Sequence, residues 1–508
     1  MRDRTHPRPA SLLPACSHCS AGDSFPLHAD AEARTRIYTE RLALVRARLM
    51  RNPLFTPPLL ESLRTDHLPL TPVDQLPRAV NSSGGSNGVS LTLLGLLTQP
   101  EVGLWCLEDE RGRAIALDLS SPDCKRIPGF YTETAIVLVQ GVYDPEYSVA
   151  DSVTGRVAGS ASDGGGVSAL LSDNRLPGAM RVTLLSHPPS EERGATLLAM
   201  GIVDPLRHHK TPADVARATM LMRDPGEAGT MIAVLADVHL DSPVALSRLR
   251  AVLEGFNRAG SVPPLFVLMG NFGSTAFGQL TGDRVAWRAR FDGLAHLLSE
   301  FSNVAASTHF VLIPGPHDPG SGGALPRPPL PASFASALLD TTRLPALTLA
   351  SNPCRIRHYA QEYVFFRADV TTRLRRRTVL PPLPPPSEDF PVTNHTVRTI
   401  VDQSHLLPLP IATQPVYWAL DHALRLAPTP DVIVVAEEQE PYATTSNGCL
   451  VVNPGSFAAA EGEFAVIRPT GGADSGPAAE LSCVSLPDTT VIGTGLTPAR
   501  RPAIDTRT

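Results

Sequence analysis

Three apolar runs in the middle of the chain constrain its fold more than any other feature. They are Met231–Ala236, Leu265–Met269 and Phe310–Ile313. Each has the length of a buried strand, and the segments between them carry apolar residues at helical spacing. Strands that alternate with helices usually pair in parallel, and the loops after their carboxyl ends meet at one edge of the sheet. We therefore expect an α/β sheet whose functional loops follow these runs.

Each run is followed by a short polar motif. The motifs are Asp237-Val-His239, Gly270-Asn271 and Gly315-Pro316-His317-Asp318. The carboxylate and the imidazole of the first motif are groups that bind divalent cations. These motifs resemble the metal-binding loops of calcineurin-like phosphoesterases, and the resemblance implies a bridging Asp where Asn271 stands and an Asn ligand where Pro316 stands. Asn271 is neutral and cannot bridge two metal ions, and Pro316 has no side-chain donor or acceptor.

A fourth apolar run, Val432–Ala436, continues into Glu437-Glu438-Gln439 and lacks the histidines that would complete such a site. Two ligands on one strand end do not fix an open coordination position. We therefore predict no catalytic residue, no cofactor and no metal. The vestigial positions of the site are Asp237, His239, Asn271, Pro316 and His317.

Composition limits the class of protein. A chain of 508 residues is long enough for two or three domains, and its apolar runs are well short of a membrane span. Its 44 Lys and Arg residues against 50 Asp and Glu residues give a net charge of −6, which is not typical of a protein that binds nucleic acid unaided. Seven scattered cysteines favour a reducing compartment, and Cys16 and Cys19 alone are a weak metal motif. The N-terminus lacks the apolar segment of an export signal.

The first half of the chain predicts a tail, a helix and a barrel. We expect residues 1–30 to be a flexible tail and residues 31–80 to form a helical segment and linker, with a helix over Ala31–Arg51 whose outer face is basic. Short strands over 89–205 predict an all-β barrel of the OB-fold type. A Gly- and Ser-rich stretch, Gly155–Gly166, predicts a mobile insertion in it, and Trp105 is expected in its core.

The second half predicts the α/β domain over 228–470, followed by a tail over 471–508 with room for one last strand. Ser242 and Pro243 predict the cap and first turn of a helix, and a second helix is expected over Arg284–Phe301. The basic cluster Arg373–Arg377 precedes a proline run and is expected in a loop. A solvated charge run is its commonest explanation, and a phosphate contact or a nuclear import signal are the alternatives.

Several sequence blocks, taken in order, resemble the B-subunit family of eukaryotic replicative DNA polymerases, and within it the epsilon branch. The blocks are Arg51–Pro58, Ala236–Asp241, Met269–Ser274, Ile313–Gly320, Leu325–Leu330, Ser351–Ile356, Ser404–Pro410, Pro415–Leu424 and Val452–Phe457. The resemblance implies a phosphoesterase-like α/β sandwich, preceded by an OB-fold barrel and a short N-terminal helical segment. It also implies that the calcineurin-like phosphoesterase domain is inactive.

The resemblance further implies a non-catalytic accessory subunit that works in nuclear DNA replication. Its expected partner is the catalytic subunit of DNA polymerase epsilon, contacted through the cysteine-rich C-terminal module of that subunit. Small histone-fold subunits are expected to be indirect partners, and DNA is expected to be reached mainly through the complex; no membrane is involved. A contact with the GINS helicase component is doubtful, because the small helical domain that carries it in the family has no counterpart before residue 31.

Two other functions remain open from the sequence. The first is an active metal-dependent phosphodiesterase that uses Asp237, His239 and His317, with His405 or His422 completing the site. The second is a direct binder of single-stranded nucleic acid through the barrel, whose affinity would fall steeply with salt.

Overall fold

The computed structural model describes residues 10–13, 29–57, 67–82, 90–121, 124–147, 175–205, 211–223, 230–259, 262–279, 281–320, 322–340, 346–459, 461–469 and 476–484. The predicted insertion Gly155–Gly166 and the Cys16/Cys19 pair lie outside these residues. Within the described ranges, no helix is both long enough and apolar enough to cross a membrane.

The predicted N-terminal helix is present as α1, Ala31–Leu49. Its apolar side chains Ile37, Leu42, Val45 and Leu49 are buried, as their spacing requires. The expectation of a basic outer face is wrong for two arginines, since Arg41 and Arg48 are only 7% and 5% exposed. Both guanidinium groups lie against the α/β domain, where acceptors distant in sequence bind them. Helical periodicity alone does not reveal such partners.

Six strands form the barrel. They are β2 (Ser90–Glu101), β3 (Leu104–Glu108), β4 (Ala114–Asp118), β5 (Lys125–Arg126), β6 (Ile136–Asp144) and β7 (Arg175–Ser186). They hydrogen bond in the order β4-β3-β2-β6-β7-β5, and a further pairing of β4 with β7 closes the barrel. Alternate apolar side chains fill the interior, and Trp105 packs against this core while remaining partly exposed.

Two six-stranded sheets form the sandwich of the second domain. The first has the order β11-β10-β9-β8-β17-β18 and the second has the order β1-β12-β13-β14-β16-β15. The strands of the first sheet are β8 (Ile232–Ala236), β9 (Leu265–Met269), β10 (His309–Ile313), β11 (Ala346–Leu349), β17 (Glu463–Arg468) and β18 (Ala478–Cys483). Those of the second are β1 (Ala10–Leu13), β12 (Cys354–His358), β13 (Gln361–Arg367), β14 (Val432–Ala436), β15 (Tyr442–Ser446) and β16 (Cys449–Asn453).

The three apolar runs of the sequence are the parallel strands β8, β9 and β10, in neighbouring positions. Their side chains are buried on both faces, because one face meets the second sheet and the other meets helices. The α-helices after α1 in the described residues are α2 (Leu76–Ser82), α3 (Arg193–Met200), α4 (Pro212–Arg223), α5 (Pro243–Ala259), α6 (Asp283–Glu300), α7 (Ser302–Ser307), α8 (Ser336–Leu339), α9 (Val370–Arg377) and α10 (Val392–Gln403). Two short 3₁₀ helices are Val73–Gln75 and Trp418–Leu424.

The N-terminal end of the chain differs from the expectation of a tail. Within residues 1–30, Ala10–Leu13 form a strand that pairs antiparallel with Cys354–His358. A distant sheet edge orders this segment, which local periodicity does not disclose. Within residues 471–508, Ala478–Cys483 form one strand, for which the sequence left room, and it pairs antiparallel with the preceding strand Glu463–Arg468.

Helix α10 joins the barrel to the sandwich. The Gln403 side chain accepts a hydrogen bond from the Ile136 amide at 2.9 Å and donates one to the Ile136 carbonyl at 2.6 Å. One turn or more earlier, Thr399 Oγ1 accepts from the Phe130 amide at 2.8 Å and His395 Nδ1 accepts from the Gly129 amide at 3.0 Å. Buried side chains thus satisfy barrel backbone groups along two turns of the helix.

Candidate functional site

The polar motifs after the three strands meet in one cleft of about 530 Å³ at the carboxyl edge of the first sheet. Four of the five vestigial positions line this cleft, namely Asp237, His239, Asn271 and His317. Asp237 and Asn271 are buried at its base, whereas His239 is half-buried and His317 is exposed. The fold therefore brings these four positions together, as predicted. Whether they can bind a metal ion depends on the hydrogen-bond partners of the Asp237 carboxylate.

One oxygen of the Asp237 carboxylate is surrounded by donors. Its Oδ1 accepts hydrogen bonds from the Asn271 amide at 3.0 Å and from Asn271 Nδ2 at 3.2 Å. It also accepts from Arg367, from Nη2 at 2.8 Å and from Nε at 3.2 Å. A carboxylate bound in this way has its charge and this oxygen committed to protein groups.

Arg367 is the functional residue that the sequence reading missed. It ends strand β13 of the second sheet, and its side chain is 0% exposed. Besides Asp237, the guanidinium donates to the carbonyls of Gly270 at 3.0 Å and Ala436 at 3.1 Å. Burial acts to lower the pKa of Arg367, but the nearby carboxylates of Asp237 and Asp369 outweigh it, so the pKa is raised and the charge is kept. A protein cation thus neutralises the carboxylate that would otherwise be the first metal ligand.

Asn271 has a structural role in addition to its contact with Asp237. Its Oδ1 accepts a hydrogen bond from the His317 amide at 2.9 Å, which fixes the third motif to the second. A side chain on Gly315 would place Cβ 2.6 Å from Asn271 Oδ1, so glycine is needed for this approach. The two motifs therefore interlock through backbone groups.

Asp318 strengthens the same interlock. Its carboxylate is buried and accepts from the Phe272 amide and the Gly315 amide, both at 2.7 Å. Burial raises the pKa of Asp318 to about 6, although these two amides and Arg367 oppose the shift. Pro316 and Asp318 thus shape a rigid turn, and the side chain of Asp318 points into the protein.

The fourth strand end, after β14, presents a carboxylate that also points inward. Glu437 is 1% exposed and accepts from the Thr371 amide at 2.6 Å and from the Tyr442 hydroxyl at 2.9 Å. Burial raises the pKa of Glu437 to about 7. Nearby, Asn453 Oδ1 accepts from the Glu437 amide at 3.1 Å. Glu437 thus closes the turn and points away from the cleft, whereas Glu438 and Glu440, which follow it, line the cleft. The Glu438 carboxylate lies 3.4 Å from Arg367 Nη2, so the same guanidinium contacts it as well.

The histidines that would complete an active phosphodiesterase lie elsewhere. His405 is buried 3.4 Å from Asp421, near Arg41 of helix α1, and burial lowers its pKa to about 4. His422 is exposed and lines a separate groove beside the same helix. Neither belongs to the cleft, so that alternative is not supported. Among the described residues, no group of three or more His, Cys, Asp or Glu side chains is placed to hold a metal ion.

Comparisons with known proteins agree with this architecture. A family model for the B-subunit of DNA polymerases alpha and epsilon matches residues 232–444, and one described as "DNA polymerase epsilon subunit 2-like, OB-fold domain" matches residues 31–189. Among solved structures, a novel archaeal phosphodiesterase matches with a TM-score of 0.27 and 10% identity, over 50% of this chain and 99% of that chain.

Curated relatives belong to the same family. DNA polymerase epsilon subunit 2 of Homo sapiens is 30% identical over 440 residues, which cover 86% of this chain and 74% of the human protein. The B-subunit of DNA polymerase epsilon from Arabidopsis thaliana is 30% identical over 448 residues, which cover 88% of this chain and 76% of the plant protein. The family models and these relatives confirm the resemblance predicted from the sequence, and the sheets of the structure agree with the predicted fold class. The chain belongs to the DNA polymerase epsilon subunit 2 family.

Proposed function

We propose that this chain is the non-catalytic accessory subunit of a DNA polymerase epsilon complex, and that it binds the cysteine-rich C-terminal module of the catalytic subunit. Family membership supports the accessory role. The observation that carries the non-catalytic part is the contact of Arg367 with Asp237, at 2.8 Å in a buried site.

The residues of the cleft support this proposal chemically. A two-metal phosphoesterase must polarise the phosphoryl group and generate a nucleophile from bound water. Here Arg367 holds Asp237, Asn271 is neutral, and Pro316 contributes no ligand. The other titratable groups of the cleft are His239, His317 and the carboxylates of Glu438, Glu440 and Glu463. Among the described residues, no three of these side chains are grouped so that they could hold a metal ion.

The same role suggests where the protein works and what it contacts. As a subunit of a replicative polymerase, the chain would act in the nucleus. Small histone-fold subunits would be reached through the catalytic subunit, and most DNA contacts would belong to the complex. The rigid junction of barrel and sandwich at helix α10 suits a scaffold, since two domains held in one orientation present a constant surface to a partner.

Co-expression of the full chain with the cysteine-rich module of the polymerase epsilon catalytic subunit tests the proposal. We expect a stoichiometric complex in size-exclusion chromatography. The corresponding module of a polymerase delta catalytic subunit is the matched control and should elute separately. Separate elution of a folded chain and a folded epsilon module would contradict the proposed partner, as would equal binding of both modules.

A further inference from the structure

The basic cluster Arg373–Arg377 lies on helix α9, so the prediction of a loop is wrong here. Arg373 is partly buried and bonds to Gln414. Arg375, Arg376 and Arg377, in the last turn, are all exposed, and none of them forms an ion pair within the described part of the chain. The helix fixes the backbone from which these three side chains extend, which a solvated loop would not do.

Several exposed arginines elsewhere on the molecule bind carboxylates. Arg36 pairs with Glu32 at 3.7 Å, and Arg111 pairs with Asp74 at 2.7 Å. Other exposed arginines, such as Arg217 and Arg284, form no ion pair within the described residues, but they do not follow one another in sequence. Three consecutive exposed arginines therefore distinguish the last turn of α9 in a chain whose net charge is −6.

Two further cations of the barrel lie beside the segment that follows this turn. Immediately after Arg377, the Val379 amide donates to the Tyr131 carbonyl at 2.6 Å, so the chain leaves the helix along the barrel surface. Arg126 Nη1 of strand β5 then donates to the Pro381 carbonyl at 3.0 Å. Its neighbour Lys125 is exposed. The barrel thus adds two basic residues beside the segment that follows α9.

Helix α10 adds one more. The proline-rich segment after α9 returns to this helix, where His395 Nε2 lies 3.0 Å from the Pro384 carbonyl. Exposed Arg398 lies over the ring of Phe390, 5.9 Å from its centroid. We call the six cations from these three elements the arginine face; they are Lys125, Arg126, Arg375, Arg376, Arg377 and Arg398. The exposed carboxylates on the same segments are Glu133, Glu388 and Asp389, so positive charge dominates. Asp369, before α9, pairs with Arg367, and Asp402 of α10 accepts a hydrogen bond from the Ser190 amide.

We propose that the arginine face binds the phosphate backbone of nucleic acid. Guanidinium groups bind phosphate oxygens in a bidentate manner, and their planar fork loses less entropy per hydrogen bond than a lysine ammonium does. No array of exposed aromatic rings accompanies these cations in the described residues, so the contact positions the nucleic acid and does not read its bases. This surface is separate from the cleft, and it goes beyond the proposed function, in which DNA is reached mainly through other subunits.

Fluorescence anisotropy of the full chain tests the proposal, with a labelled single strand and its duplex over a range of KCl concentrations. The variant carries Arg375→Gln, Arg376→Gln and Arg377→Gln. If three phosphate contacts are lost, the slope of log K against log salt should fall by about 2.7 for the duplex and about 2 for the single strand. The matched control carries Arg217→Gln, Arg284→Gln and Arg288→Gln, which change the net charge equally at other exposed helix positions. It should keep the parent's slope.

Three results would overturn the proposal. The first is that the parent binds neither probe, and the second is that the two triple variants weaken binding equally. The third is that the α9 variant binds nucleic acid like the parent, which is expected if the arginine face binds an acidic protein instead. Should the α9 variant unfold, as judged by circular dichroism, the barrel variant with Lys125→Gln and Arg126→Gln replaces it. That variant must reduce the duplex slope by about 1.8, and an unchanged slope counts against the arginine face.

Discussion

Replacement of Arg367 by methionine tests the role of the buried guanidinium. Methionine keeps the apolar part of the side chain but leaves the Asp237 carboxylate without its cation. Both side chains are almost completely buried, at 0% and 3% exposure, so water cannot substitute for the lost charge. Removal of one partner from such a pair costs about 3–5 kcal/mol of folding free energy. Loss of the donors to the Gly270 and Ala436 carbonyls acts in the same direction.

Urea unfolding followed by circular dichroism measures this cost. The double variant Arg367→Met with Asp237→Asn removes both charges and should be more stable than Arg367→Met alone, with a coupling energy of about 0.5–3 kcal/mol in the cycle. The control Arg36→Met removes an exposed partner of Glu32 and should leave the urea midpoint unchanged. An Arg367→Met protein as stable as the parent would refute the idea that this guanidinium neutralises Asp237.

Three further predictions concern packing, docking and pH. Gly270→Ala places Cβ 1.8 Å from Asp318 Oδ2 and should lower the free energy of unfolding by more than about 2 kcal/mol. The control Gly293→Ala has open space around its Cβ in helix α6 and should be neutral or stabilising. The urea midpoints of the two variants measure the difference. Arg41→Met leaves buried Asp421 without one of its cations and should increase amide hydrogen exchange throughout helix α1. Unchanged exchange in α1 would be evidence that the Arg41–Asp421 ion pair does not hold this helix against the α/β domain. Burial lowers the pKa of His187 from 6.5 to about 4. Between pH 6.5 and pH 4, therefore, the imidazole takes up a proton in the unfolded chain but not in the folded chain, and acidification lowers the free energy of unfolding. His187→Phe should make the fall in urea midpoint between pH 6.5 and 4 shallower, and an unchanged slope would be evidence against a buried neutral imidazole.

Local patterns were sufficient to predict several of the regular elements. Ser242 and Pro243 precede a helix that spans Pro243–Ala259, and Ser242 Oγ accepts from the Ala245 amide at 3.4 Å. The apolar runs predicted the three parallel strands, because a strand buried on both faces needs uninterrupted apolar side chains. Glycine and polar residues after these strands also predicted where the cleft lies.

Contacts between distant segments could not be predicted in this way. Arg367 lies 130 residues from Asp237 in sequence, and its strand reads as Tyr363-Val-Phe-Phe-Arg367, an apolar run with one charge at its end. A charge at the end of a buried strand is a signal, but it does not name its partner. The same applies to Arg41, which binds Asp421 from 380 residues away. Buried ion pairs join elements that the sequence presents separately.

The loop prediction for Arg373–Arg377 had another cause. Successive arginines and a following proline run favour irregular structure by composition, yet Val370, Thr371 and Leu374 bury one side of a short helix. The Thr371 amide, near the start of the helix, is bound by the buried Glu437 carboxylate at 2.6 Å. Tertiary contacts at one end thus stabilise a helix whose sequence is unfavourable at the other.

The central claim is that a guanidinium has replaced metal chemistry at this site, and measurement of metal content together with phosphodiesterase activity tests it most directly. The purified chain would be dialysed against Mn²⁺, analysed by inductively coupled plasma mass spectrometry, and assayed with bis(p-nitrophenyl) phosphate. We predict less than stoichiometric metal and no turnover, both for the parent and for Asn271→Asp, because Arg367 still holds Asp237 and Pro316 still supplies no ligand. Stoichiometric manganese with turnover that Asp237→Ala abolishes would contradict the account.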